Sequence, residues 1–150
     1  MLKLHPKKGL STININNYLR NKKYFQGCYP IDNIPIFKQF PVFVIVNTQK
    51  SIKRGGHWVA LLITKQDFLY FDSFGLPFLE LELERYFKKY KRRRVLFSRK
   101  CIQDVQSVSC GLFCIAFVKN VCSPISYNTF LDKFDSVNLF ENDKIVKSLI

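Results

Sequence analysis

The sequence predicts an α+β domain, a central mixed but mainly antiparallel sheet flanked by helices, with a buried helix that opens on a cysteine. Three observations lead there. Short runs rich in β-branched and aromatic residues cluster in the middle of the chain. Apolar residues at helical spacing lie before and after them. Asn, Gly and Pro punctuate the boundaries, and no internal repeat or low-complexity tract interrupts the series. At 150 residues the chain fits a single domain, 1–150, whose residues 1–9 read as a basic tail.

The elements follow in order. Ser11 can cap a short helix running to about Leu19. Tyr24–Pro41, with three prolines after Tyr29 and Gly27 before it, reads as an ordered loop. PVFVIVNT (41–48) is a buried strand, and a basic, Gly-containing connector follows it. HWVALLIT (57–64) and FLYFDSF (68–74) are expected to pair as an antiparallel hairpin across the turn Lys65-Gln66-Asp67. Leu79 to Tyr90 carries helical apolar spacing, and VLFS (95–98) is a further core strand. CGLFCIAFVKNVC (110–122) is a mostly buried helix, and 126–149 holds one or two amphipathic helices, the last near NDKIVKSLI.

Composition narrows the function classes. With 47% hydrophobic residues and fifteen phenylalanines, the chain carries enough apolar surface to fold, which excludes disorder as its main state. Its longest apolar runs are far short of the ~20 residues needed to cross a bilayer, so no membrane partner is expected. The first ten residues lack the apolar stretch of a signal peptide, and secretion is not expected. Five cysteines (28, 101, 110, 114, 122), an odd number without a Cys-x-x-Cys pair, fit free thiols in a reducing, intracellular compartment. Cys110 and Cys114 share a helix face, but zinc needs two more convergent ligands and only His5 and His57 are available, so no metal is expected.

Four residues suggest chemistry. Cys110 stands at a polar-to-apolar junction at a helix start, where the helix dipole and unpaired backbone N–H groups favour a thiolate. Gly111 after it allows another chain to approach the backbone closely. His57 follows Gly55-Gly56 at the beginning of a strand, and Asp72, fifteen residues on, lies near the end of the neighbouring strand. The hairpin brings imidazole and carboxylate together, so that the acid can hold one ring nitrogen while the other faces a thiol. Nucleophile, base and orienter form a set more specific than any member alone. Gln103, seven residues before the cysteine, or Gln106, four before it, could supply an oxyanion donor beside the Cys110 amide.

The runs GGHWVALLI, YFDSFG and IQDVQSVSCGLFC, with YFQGCYPIDNIPIF and IVNTQKSIKRGGHW upstream, resemble the adenovirus-type cysteine endopeptidases, within the larger group that includes ubiquitin-like-protein proteases. The resemblance covers roughly residues 20–122. It implies His57 as general base, Asp72 as its orienter, Gln103 in the oxyanion hole and Cys110 as nucleophile. It implies that Trp58 lines a narrow substrate groove favouring glycine near the cut bond, with Gly56 and Gly111 beside it. Only forty residues follow Cys110, which looks more like the short proteases of Polinton-type elements and small adenovirus-related DNA viruses.

The function expected is therefore a cysteine endopeptidase cleaving capsid or core precursor proteins during particle maturation. The alternatives are a deconjugating protease for a ubiquitin-like modifier, or an inactive basic DNA- or capsid-binding domain. No cofactor is required by the sequence. The resemblance implies activation by DNA, whereas peptide activation is not carried over, because Cys101 is not an obvious counterpart of the family's tethering cysteine. The net charge of +13 fits non-specific nucleic-acid contact. Lys88, Lys89, Lys91, Arg92, Arg93 and Arg94 around Tyr90, with Lys50, Lys53 and Arg54 near the histidine, are the expected phosphate-facing groups. A monomer working in the host nucleus and the virion is the expected setting.

Overall fold

The computed structural model describes residues 9–50, 56–77 and 81–150. It runs α1 (Thr12–Leu19), β1 (Phe25–Pro30), β2 (Val42–Asn47), β3 (Trp58–Ile63), β4 (Asp67–Phe71), α2 (Leu81–Lys88), β5 (Arg94–Phe97), α3 (Cys110–Asn120), α4 (Pro124–Asp132) and α5 (Leu139–Ser148). The strands form one sheet in chain order. Its centre, β2-β3-β4, is antiparallel, and a parallel ladder closes each edge, β1 on β2 and β5 on β4. The mixed α+β architecture expected from the sequence is the one observed.

The central strands are buried on both faces, which explains why their sequences are continuous apolar runs and not alternating ones. Val44, Val46, Val59, Leu61, Ile63, Phe68 and Tyr70 point to one side and meet Leu83 and Tyr86 of α2. Phe43, Ile45, Ala60, Leu62, Leu69 and Phe71 point to the other, where α3 lies across them. Cys110 through Val118 are all buried, so α3 is apolar all round and forms the middle of the core, with α1, α4 and α5 around it. Phe71 of the sheet stacks on Phe117 of α3 at 5.1 Å, a contact that fixes the helix against the strand leading to Asp72.

Two expectations are corrected. Phe25–Pro30, part of the segment Tyr24–Pro41 read as loop from its prolines, is a strand paired in parallel with β2. Pro30 closes an edge strand, where a missing N–H removes no obligatory ladder bond. An irregular register between Phe25 and Cys28 also erases the alternation that would have marked it. The described part of α2 begins at Leu81 and ends at Lys88, so Tyr90 lies just beyond the helix. Its hydroxyl accepts from the Phe37 N–H at 2.9 Å and meets the Tyr86 hydroxyl at 2.9 Å. Tyr90 is thus a core residue and not part of a phosphate-facing surface. The C-terminal segment forms two helices, the first started by the Ser123/Ser126 capping box with Pro124 in its first turn.

Candidate active site

A cleft of about 520 Å³ opens where the N-terminus of α3 meets the ends of β3 and β4, and it is lined by His57, Trp58, Gln103 and Cys110. The hairpin builds its first pair. Ala60 lies opposite Phe71 in the last pair of the ladder, so His57, just before β3, and Asp72, just after β4, flank the same open end of the hairpin. His57 Nε2 meets Asp72 Oδ1 at 2.7 Å. A carboxylate only accepts, so this contact places the proton on Nε2 and leaves Nδ1 for a second partner. Cys110 stands near the same ring, close enough for its side chain to help raise the His57 pKa, and both residues line the cleft.

The ring is held from several sides. The His57 N–H donates to Thr48 Oγ1 at 3.2 Å, and the His57 carbonyl accepts from the Thr48 N–H at 2.9 Å. Phe74 stacks on the imidazole at 4.7 Å. Asp72 Oδ1 also accepts the Phe74 N–H at 2.8 Å, so the carboxylate cannot swing away without losing two partners. Burial pulls the His57 pKa down, but the hydrogen bonds and charges of Asp72 and Cys110 outweigh it and push the value up to about 9.

Of the two glutamines, Gln103 is the one at the cleft. It is 1% exposed and lines the cleft, whereas Gln106 is exposed in the following loop. The Gln103 carbonyl oxygen accepts from the Ser73 hydroxyl, and its Nε2 donates to the Ser107 carbonyl at 3.0 Å. An amide nitrogen has two hydrogens, so one remains for a group in the cleft. Backbone bonds from Ile102 and Gln103 to the Ser73 carbonyl at 2.9 and 3.1 Å anchor the same loop. Cys110 is the first residue of α3, whose first-turn amides have no intrahelical acceptors. Burial drives the thiols of Cys28, to about 12, and of Cys114 upward, which disfavours a nucleophilic role for either.

The groove residues divide. Trp58 is buried in the core yet lines the cleft, its Nε1 donating to the Leu10 carbonyl at 2.9 Å. Gly56 lines it too, with φ +105°; an added Cβ would stand 2.2 Å from Asn47 Oδ1. Gly111 is different. The chain that approaches it is Leu10 of the protein itself, which an added Cβ would crowd at 3.1 Å, and Gly111 is absent from the cleft lining. Sequence reasoning missed Leu10, Ser73, Phe74 and Ser107. Ser73 and Phe74 could have been found from their place in the motif YFDSFG, whereas Leu10 and Ser107 carry no local signal.

The expected cations also divide. Arg94 pairs with the buried Asp67 at 2.9 Å, and Lys88 pairs with Glu84 at 3.2 Å. Arg93 donates to the Thr64 carbonyl at 2.9 Å and lies 4.4 Å over the Phe40 ring, so it serves the fold. Lys50 pairs with Glu82 at 3.2 Å. Lys89, Lys91 and Arg92 are exposed, while Lys53 and Arg54 lie outside the described residues. Residues 1–8 of the expected basic tail, with His5, also lie outside them.

Comparison with known proteins decides the family. The model of the adenovirus endoprotease matches residues 25–146. The chain belongs to the adenovirus endoprotease family. Membership makes it a cysteine protease of viral type, a hydrolase. The protease of porcine adenovirus A serotype 3 is 33% identical over 136 residues, covering 71% of this chain and 67% of that protein. The protease of frog adenovirus 1 is 29% identical over 116 residues, covering 65% and 56%. This adenovirus-type chain therefore spans between about half and two thirds of these relatives' length. The crystal structure of an ASFV protease shares its fold, with a TM-score of 0.55, 17% identity, and coverage of 96% of this chain and 68% of that one.

Proposed function

We propose that the chain is a thiol endopeptidase that cleaves viral or element-encoded capsid or core precursors near glycine-containing sites during particle maturation. The observation that carries this reading is a cleft that gathers His57, Cys110 and Gln103, with His57 hydrogen-bonded to Asp72 behind it. A substrate carbonyl beside Cys110 is attacked by its sulfur, with the thiol proton carried on His57, whose raised pKa of about 9 keeps the ring charged at neutral pH. The new C–S bond leaves a tetrahedral oxyanion, which accepts from the remaining Gln103 Nε2 hydrogen and the Cys110 N–H. Collapse breaks the C–N bond, and His57 returns its proton to the departing amine. Water then attacks the thioester, giving its proton to His57, and release of the acid returns the sulfur and the charged ring to their starting state. Asp72 keeps the ring oriented throughout and stabilises its charged form.

In this reading the protease acts as a monomer in the host nucleus and the virion. DNA serves as a sequence-independent activator, held through Lys89, Lys91 and Arg92, the exposed cations of the 88–94 segment apart from the ion-paired Lys88 and Arg94. Wild type and Cys110→Ala, each incubated with glycine-containing precursor peptides and with a modifier conjugate, with and without DNA, test it. Wild type should cut the precursor peptides, faster with DNA, and Cys110→Ala should cut nothing. Release of the modifier alone would reassign the substrate class, and cleavage surviving in Cys110→Ala would remove the nucleophile.

A further inference from the structure

Asp143, on the second turn of α5, lies 36 residues in sequence from Ser107 yet accepts its hydroxyl through both carboxylate oxygens, at 3.1 and 3.0 Å. It also accepts the Ser109 hydroxyl at 3.3 Å. Both serines bear on the oxyanion site. The Ser107 carbonyl is the acceptor that holds Gln103 Nε2. Ser109 occupies the N-cap position of α3, where a serine hydroxyl ordinarily turns back onto a first-turn amide. Here it makes no such bond. Drawn instead towards Asp143, it leaves the amides beside Cys110 for another acceptor. The neighbouring Asn142, fully buried, donates to the Ile102 carbonyl at 2.9 Å, so α5 grips the loop on both sides of Gln103.

We propose that Asp143 is a positioning residue for oxyanion binding, setting the Gln103 amide through Ser107 and freeing the α3 amides by engaging Ser109. The proposal rests on the protease reading above. It separates two functions of the site, because the hydrogen bonds of Asp143 go to the serines beside the oxyanion donors and not to the thiol or the imidazole. Removing it should therefore weaken what the site does for a tetrahedral oxygen while leaving the nucleophile as reactive as before.

Asp143→Ala should lower kcat about tenfold or more with KM changed less than about threefold, the pattern of an interaction made only in the transition state. Binding of a peptide aldehyde, whose adduct with Cys110 carries such an oxygen, should weaken by a similar factor. Alkylation of Cys110 by iodoacetamide, which needs no oxyanion support, should keep its rate within about twofold. Asp143→Asn, which still accepts a hydroxyl, should recover part of the loss. Ser107→Ala, which leaves α5 intact, should show the same pattern, and the double variant should be no worse than either single one. Alkylation slowing in step with kcat, or kcat unchanged, would overturn the proposal. A readout independent of turnover is the NMR signal pair of the Gln103 side-chain amide, assigned by its loss in Gln103→Ala. It should shift towards the free-amide position in Asp143→Ala, and an unmoved pair would overturn the proposal even if no substrate were found. A wild type that cleaves nothing while this shift appears would instead defeat the protease reading and support the positioning role.

Discussion

The cleft and the basic segment 88–94 use polar residues in opposite ways. In the cleft, Asp72 and Gln103 are almost fully buried, and each side chain has partners on two sides. Along the basic segment the side chains of Lys88 and Arg94 are 70% and 71% exposed even where they are paired. A buried polar group that loses a partner bears the cost of desolvation, of order 1–3 kcal/mol, whereas an exposed pair contributes about 0–1 kcal/mol. The cleft is therefore intolerant of substitution one residue at a time, and the basic segment responds to the sum of its charges.

The sharpest break should come at Asp72. Asp72→Asn keeps the shape but offers an amide where the ring nitrogen needs an acceptor, and kcat should fall by roughly 10³-fold or more in a peptide-cleavage assay. Gln103→Ala should cost about 10²-fold in kcat, the usual scale for one oxyanion donor, and also leave the Ser73 hydroxyl without its acceptor. Comparing its melting temperature with that of Gln103→Glu separates the two effects, since glutamate retains the acceptor.

The next effect is on stability. The His57 pKa is raised from its ordinary 6.5 to about 9 in the folded protein. Protons thus favour the folded state, so this contribution is complete below pH 6.5 and is lost as pH climbs through about 9. Thermal unfolding of wild type and His57→Gln between pH 6 and 10 should show a gap that narrows across this window, and a gap constant with pH would contradict it.

The smallest effect belongs to the basic segment. Replacing Lys89, Lys91 and Arg92 together by alanine should leave DNA-free cleavage within about twofold and lower the salt dependence of DNA binding by about one logarithmic unit per cation. The same experiment on Arg93 should instead lower the melting temperature, because its guanidinium holds the Thr64 carbonyl and covers Phe40.

What the sequence made legible follows from how local each feature is. The His57–Asp72 pair rests on a hairpin whose turn and register are written within about fifteen residues, and Cys110 on the start of a helix with an unbroken apolar run. β1 was hidden because Pro30 and the prolines that follow it look like loop until the strand is known to be an edge. The grip of α5 on the Gln103 loop and the closure of Leu10 over Gly111 depend on contacts between distant segments, to which no residue type or spacing points. Likewise, six basic residues within seven positions do not reveal that Arg93 and Arg94 are committed to the fold.

Asp72, Ser73 and Phe74 are consecutive, and each serves a different partner: the imidazole edge, the glutamine amide and the imidazole face. Side chains in this tripeptide can be exchanged individually, with separable consequences. Its length cannot. Adding or deleting one residue there would rotate all three out of step at once, so the spacing of this tripeptide from the end of β4 is as much a part of the cleft's construction as any functional group.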